Sequence, residues 1–182
     1  MRGVLRALLL GTVLLAGAAG AQGVPEPSGF RDAPYRGPVP DGLAGATTVS
    51  TEEAHWLWAE GEAAFVDVLP REERPAELPA DTIWRVPPHD SIPGATWLPN
   101  TGYAALSGPE EAYLRDGLAA VTGGDPARPV LFFCLEECWM SWNAAKRALA
   151  LGYADVLWYP GGADGWAAAG HPTERLEPWA AP

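Results

Sequence analysis

The stretch that most constrains this chain is Pro129-Val130-Leu131-Phe132-Phe133, an apolar run that stops at Cys134. A short apolar run without polar alternation reads as a strand buried on both faces. Leu135 to Met140 follow as a loop, and Ser141 is placed to cap a helix through Asn143-Ala144-Ala145-Lys146-Arg147-Ala148-Leu149, ended by Gly152. Asp155-Val156-Leu157-Trp158-Tyr159 reads as the next strand. Strand, loop, helix, strand is one right-handed crossover unit, which joins parallel neighbours. The expected fold is therefore α/β, a parallel sheet with helices on both faces.

The rest of the chain supplies matching parts. Ser50-Thr51-Glu52-Glu53 is a capping box, opening a helix to about Glu60 that Gly61 ends. Ala64-Phe65-Val66-Asp67-Val68 reads as a buried strand, and Ala95-Thr96-Trp97-Leu98 as a short one after the Ile92-Pro93-Gly94 turn. Ser107-Gly108-Pro109-Glu110 opens a second helix to about Thr122, stopped by Gly123-Gly124. Residues 69–93 are polar and proline-rich, expected mostly as loop. A short helix is expected around Asp164-Gly165-Trp166, after the Pro160-Gly161-Gly162 turn.

Residues 1–21 have the layout of a secretory signal peptide: Arg2 and Arg6, an apolar stretch from Ala7 to Ala19, then the small-x-small site Ala19-Gly20-Ala21. Cleavage there is expected to leave Gln22 first and to place the protein in the periplasm or outside the cell, with no membrane association; the alternative is an uncleaved membrane anchor. Residues 22–47 form an aperiodic Pro/Gly-rich arm, ordered only if it packs on the domain of residues 48–182. Loss of Arg2 and Arg6 takes the formal charge from −11 to −13. So acidic a surface argues against nucleic acid and anionic lipid as partners.

Both cysteines of the chain, Cys134 and Cys138, fall in one loop. A strand that ends in Cys and turns into a helix puts the sulfur at the carboxyl edge of the sheet, where ligands collect. Loop amides and a helix amino terminus favour the thiolate, the nucleophilic form. Cys134 is thus placed to attack, or to carry a sulfur atom as a persulfide. Cys138, four residues on, could resolve an adduct on Cys134 or join it in a reversible disulfide. A buried inert thiol at Cys134 and a permanent bridge between the two are the structural alternatives. No metal is expected, because His55, His89 and His171 have no ligand spacing, and no covalent haem motif is present. Glu136 and Glu137 oppose the helix-end effect and repel anions. Trp139 and Trp142 flank the loop as core residues, or as a lid or platform for an aromatic or quinone-like cofactor.

Phe65-Val66-Asp67-Val68, His89-Asp90-Ser91-Ile92-Pro93-Gly94-Ala95, Val130 to Cys134, Gly152-Tyr153-Ala154-Asp155-Val156 and Gly161-Gly162-Ala163-Asp164-Gly165-Trp166 together resemble, in order and spacing, the rhodanese family over roughly residues 48–170. That resemblance implies a persulfide-carrying role for Cys134 and structural roles for Asp67 and His89. The segment from Cys134 to Arg147 is similar to the exported PQQ-dependent catabolism-associated CXXCW motif proteins. This implies association with pyrroloquinoline quinone or a periplasmic quinoprotein system. Active rhodanese loops usually carry Gly and a basic residue after the Cys; here no Arg or Lys occurs before Lys146.

Three functions are therefore expected. The first is a thiol-redox or sulfur-handling protein with Cys134 as nucleophile and Cys138 as resolving partner, acting on a small sulfur or thiol substrate. The second is a plain sulfurtransferase using Cys134 alone. The third is a non-catalytic binding module with a fixed Cys134–Cys138 disulfide.

Overall fold

The computed structural model describes residues 23–181, so the expected leader lies outside the described residues. The elements in chain order are β1 (Thr47–Thr48), α1 (Thr51–Glu60), β2 (Ala64–Asp67), β3 (His89–Ser91), β4 (Thr96–Trp97), α2 (Gly108–Thr122), β5 (Val130–Phe133), α3 (Trp139–Ala150), β6 (Val156–Trp158), α4 (Gly162–Ala168) and β7 (Glu174–Leu176). Five strands form one sheet in the order β1-β6-β5-β2-β4. Every pairing in it is parallel. No helix among the described residues is long and apolar enough to cross a membrane.

The period-two alternation of the strands divides the core in two. Val66, Val130, Phe132, Val156 and Trp158 pack with Leu114 and Leu118 of α2 and with Trp142, Ala145 and Ala148 of α3. Phe65, Leu131, Phe133 and Leu157 pack on the other face with Ala54 of α1 and with Ala163 and Trp166 of α4. β5 is central and buried throughout, which is why its sequence shows no polar alternation. The α/β fold with helices on both faces is the one expected.

Two helices start where their caps predict. Ser50 Oγ accepts the Glu53 amide while Glu53 accepts the Ser50 amide, and Ser107 and Glu110 repeat the arrangement. Gly61 (φ 67°) and Gly123 (φ 66°) close those helices in the left-handed conformation.

The third helix corrects the sequence expectation. It starts at Trp139 with Cys138 in the N-cap position, three residues before the expected cap at Ser141. Its first amide is satisfied from far away: Trp139 N–H donates to the Tyr35 carbonyl of the arm at 2.8 Å. Ser141 is buried inside the first turn instead, donating to Cys138 O and accepting from Trp158 Nε1. Its end is the expected one: Gly152, at φ 95°, follows the Leu151 C-cap, with Gly152 N–H donating to Leu149 O and Tyr153 N–H to Ala148 O. Three short strands were not expected. β1 extends the sheet just before α1. β3 and β7 form a separate antiparallel pair whose exposed Asp90 and Arg175 join in an ion pair at 3.0 Å. These segments are too short and too polar for a period to show.

The arm packs on the domain along α3. Asn143 accepts the Arg31 amide and donates to the Arg31 and Gly102 carbonyls. Lys146 donates to Pro27 O, and Trp142 Nε1 to Gly42 O. Arg147 holds the 101–104 segment through the carbonyls of Thr101, Tyr103 and Ala104. The polar side of α3 thus faces backbone rather than water.

Candidate functional site

β5 ends at Phe133, and the chain leaves the sheet at Cys134 between the neighbouring strand ends. The loop that follows folds back, and Cys134 Sγ lies 2.7 Å from Cys138 Sγ. Both sulfurs are reduced and buried, Cys134 completely. Glu137 takes a positive φ of 50° to make the reversal, a conformation that costs little over one residue but is rare outside Gly and Asn. The loop is seated on α4, where Ala163 N–H donates to the Cys134 carbonyl at 2.8 Å. Gly162, at φ 58°, makes that seat possible: a Cβ there would fall 2.4 Å from the Leu135 carbonyl carbon. This explains a glycine at that position in steric terms.

The two sulfurs have opposite environments. Burial pushes the Cys134 thiol well up, and the hydrogen bond and charge of Cys138 and the nearby Asp67 carboxylate push the same way. The Cys138 pKa is brought down to about 7, first by the hydrogen bond from Cys134, then by the Met140 and Leu135 amides and the charge of Arg36, against its own burial. The two directions favour Cys134 as the proton donor of the pair and Cys138 as the thiolate. The helix-end effect expected at Cys134 falls on Cys138, because α3 begins three residues earlier than Ser141 implied.

Below the pair, Asp67 ends β2 fully buried. One of its carboxylate oxygens lies 2.7 Å from His89 Nε2 and 2.5 Å from Ser91 Oγ. The other accepts the Leu69 amide at 2.8 Å. The carboxylate so ties the β3 ribbon to the end of the sheet, the structural role expected for Asp67 and His89.

The model of the rhodanese-like domain family matches residues 50–169. The chain belongs to the rhodanese-like domain family. Among solved structures it is similar to the thiosulfate sulfurtransferase from Pseudomonas aeruginosa, at 21% identity over 73% of this chain and 21% of that one, with a TM-score of 0.48. It therefore spans about a fifth of that protein's length. It is also similar to the polysulfide-sulfur transferase homodimer from Wolinella succinogenes, at 22% identity over 72% of this chain and 80% of that one, with a TM-score of 0.45. No curated protein matches the chain.

In this rhodanese-like site the tryptophans differ. Trp142 is fully buried, and Lys146 Nζ sits 4.5 Å from its ring centroid, so it is a core residue with no open face for a ligand. Trp139 packs edge-on to it at 5.5 Å, and it lines a cavity of about 360 Å³ bounded by the arm. Among the described residues, no group of three or more His, Cys, Asp or Glu converges. His55 and His171 stack at 4.0 Å beside Trp166, and His89 is bonded to Asp67.

The residue that sequence reasoning missed is Arg36. It pairs with Cys138 in an isolated antiparallel bridge between arm and loop. The flanking bonds, Gly37 N–H to Glu137 O and Trp139 N–H to Tyr35 O, make Arg36 and Cys138 the closely spaced pair of that bridge, with side chains on one face. The only sequence signal near it is the pair of aromatic residues Phe30 and Tyr35, which could dock the arm.

Proposed function

We propose that this rhodanese-like domain handles sulfur through Cys134 and Cys138 acting as one dithiol–disulfide pair. The observation that carries this is the 2.7 Å contact between the two sulfurs at the carboxyl end of the central strand. Contact that close lets the pair interconvert with a disulfide through a small motion. Sequence order suggested Cys134 as nucleophile. The charge distribution favours the reverse division: Cys138 attacks and Cys134 resolves.

The chemistry balances in two forms. In the first, the Cys138 thiolate attacks a persulfide or polysulfide donor at its outer sulfur. The donor's S–S bond breaks, its inner thiolate leaves with the electron pair, and Cys138 becomes a persulfide. An acceptor thiolate then takes the outer sulfur and returns Cys138 to thiolate, with no net redox change. In the second, Cys138 attacks a disulfide and expels one thiolate, which takes the Cys134 proton. Cys134 next attacks the Cys138 sulfur and expels the second thiolate. The pair is left oxidised by two electrons, and a thiol reductant restores it. The thiosulfate and polysulfide chemistry named for the structural neighbours is consistent with the first form.

Export to the periplasm and a link to a pyrroloquinoline quinone system belong to the same proposal. They rest on the leader of residues 1–21 and on the likeness of the segment from Cys134 to Arg147. Tryptophan fluorescence titrated with pyrroloquinoline quinone tests the cofactor link, and an unchanged signal removes it.

The deciding measurement is intact mass after exposure to a polysulfide donor, on wild type and on Cys134→Ser and Cys138→Ser. The proposal expects one added sulfur trapped on Cys138 in Cys134→Ser, and little reaction in Cys138→Ser. Trapping on Cys134 in Cys138→Ser instead would restore the division expected from sequence order. Wild-type thiols that never become accessible under mild reductant would leave a binding module with a fixed bridge.

A further inference from the structure

The loop that carries the cysteines holds two exposed carboxylates, Glu136 and Glu137, and no cation of its own. Such a loop repels an anionic sulfur donor. The fold supplies a cation from elsewhere. Arg36 lies more than ninety positions earlier in the chain, yet it is the direct cross-strand partner of Cys138. Its guanidinium reaches Asp164 on the first turn of α4, the helix on which the cysteine loop is seated, at 3.6 Å. Both side chains of that ion pair are about half exposed, 55% and 47%. The guanidinium therefore bridges from the arm to α4 beside the cysteine loop, with its charge in reach of an incoming ligand. At that exposure the pair with Asp164 is weak and can be exchanged for another anion.

We propose that Arg36 is the anion-recognition residue of the sulfur site, seating a donor whose sulfane sulfur is bonded to a negatively charged group. This rests on the reading of Cys138 as the attacking sulfur. The donor's anionic group displaces Asp164 from the guanidinium, which sets the sulfane sulfur next to Cys138. On attack, the new bond forms between Cys138 and the sulfane sulfur, and the anionic group departs with the electron pair of the broken bond. With thiosulfate the products are the Cys138 persulfide and sulfite, and the total charge is unchanged. A guanidinium suits this task because it stays charged and offers two parallel donors to a planar or tetrahedral anion.

The test compares two alkylating probes of similar size, neutral iodoacetamide and anionic iodoacetate, on wild type, Arg36→Gln, Arg36→Lys and Asp164→Asn. Both probes need the same thiolate, so their rate ratio cancels changes in thiol pKa or loop exposure and reports attraction of the anion. Arg36→Gln is expected to lower the iodoacetate-to-iodoacetamide ratio about three- to fivefold, and Arg36→Lys to restore part of it. Asp164→Asn is expected to raise the ratio, and the wild-type ratio to fall with added salt. A ratio in Arg36→Gln equal to that of wild type overturns the inference while leaving the sulfur reading intact. If neither probe labels wild type at Cys138, the sulfur reading and this inference fall together.

Discussion

At the scale of single residues, the site is a division of labour between two sulfurs with one proton to share. The Cys138 pKa near 7 sets the pH at which its reactivity develops. The rate of Cys138 labelling by iodoacetamide should climb through about pH 7 and level off above it. The largest cause of the lowered value is the hydrogen bond from Cys134, so Cys134→Ala should move the midpoint upward, toward the ordinary thiol range. A labelling profile indifferent to Cys134 would show that the two sulfurs do not communicate. Asp67 works in a different way. Replacing it with Ala strips the partner from the buried His89 and Ser91 side chains and from the Leu69 amide. That should cost about 3 kcal/mol or more, read as a lowered denaturant midpoint. Both residues stood out in the sequence, because Cys134 ends an apolar run and Asp67 interrupts one. So did their partners Cys138 and His89, but nothing near Cys138 in the chain announces Arg36.

At the scale of elements, legibility follows the range of the interactions that define each boundary. α1 and α2 carry their capping boxes within four residues, so their starts could be read from Ser50 and Ser107. α3 takes its cap from Tyr35, and its start was misplaced at Ser141 because no local pattern encodes a partner that distant. The same holds for the seating of the arm, which depends on Asn143 meeting the backbone of Arg31 across 112 positions. Asn143→Ala removes those bonds and leaves α3 otherwise able to form. We expect the arm to become the first site of limited proteolysis and stability to fall by about 2 kcal/mol. We also expect neutral alkylation of Cys138 to speed up, because the strand of residues 35–37 covers its loop. An arm equally resistant in wild type and variant would show that Lys146 and Trp142 suffice to hold it.

At the scale of the whole molecule, the cysteine pair contributes little to holding the fold together. Its disulfide would close a loop of only five residues, Cys134 to Cys138, worth about 2 kcal/mol at most from chain entropy. The two packed faces of the sheet, with buried tryptophans at Trp142, Trp158 and Trp166, carry the stability instead. Calorimetry of the oxidised and reduced protein should therefore give melting temperatures within several degrees of each other. Collapse of the reduced form would mean that the bridge is structural. The parallel sheet and its two helical layers could be foreseen from the alternation of apolar strands with helices. The small β3–β7 ribbon could not, since it is held by the Asp90–Arg175 ion pair and by Asp67 rather than by an apolar face.

The strap of the arm over α3 also has a consequence in time. A chain is made from its amino end, so the arm is finished long before the helix that receives it exists. Arg31 must wait for Asn143, and Tyr35 for Trp139. Contacts so far apart in the chain are slow to form and come late. The seat, the helix cap and the guanidinium beside Cys138 all depend on the arm meeting α3 and the cysteine loop. Without that contact the protein can have its sheet and its core while the Cys138 loop is still uncovered, so protection of Cys138 marks the finished fold.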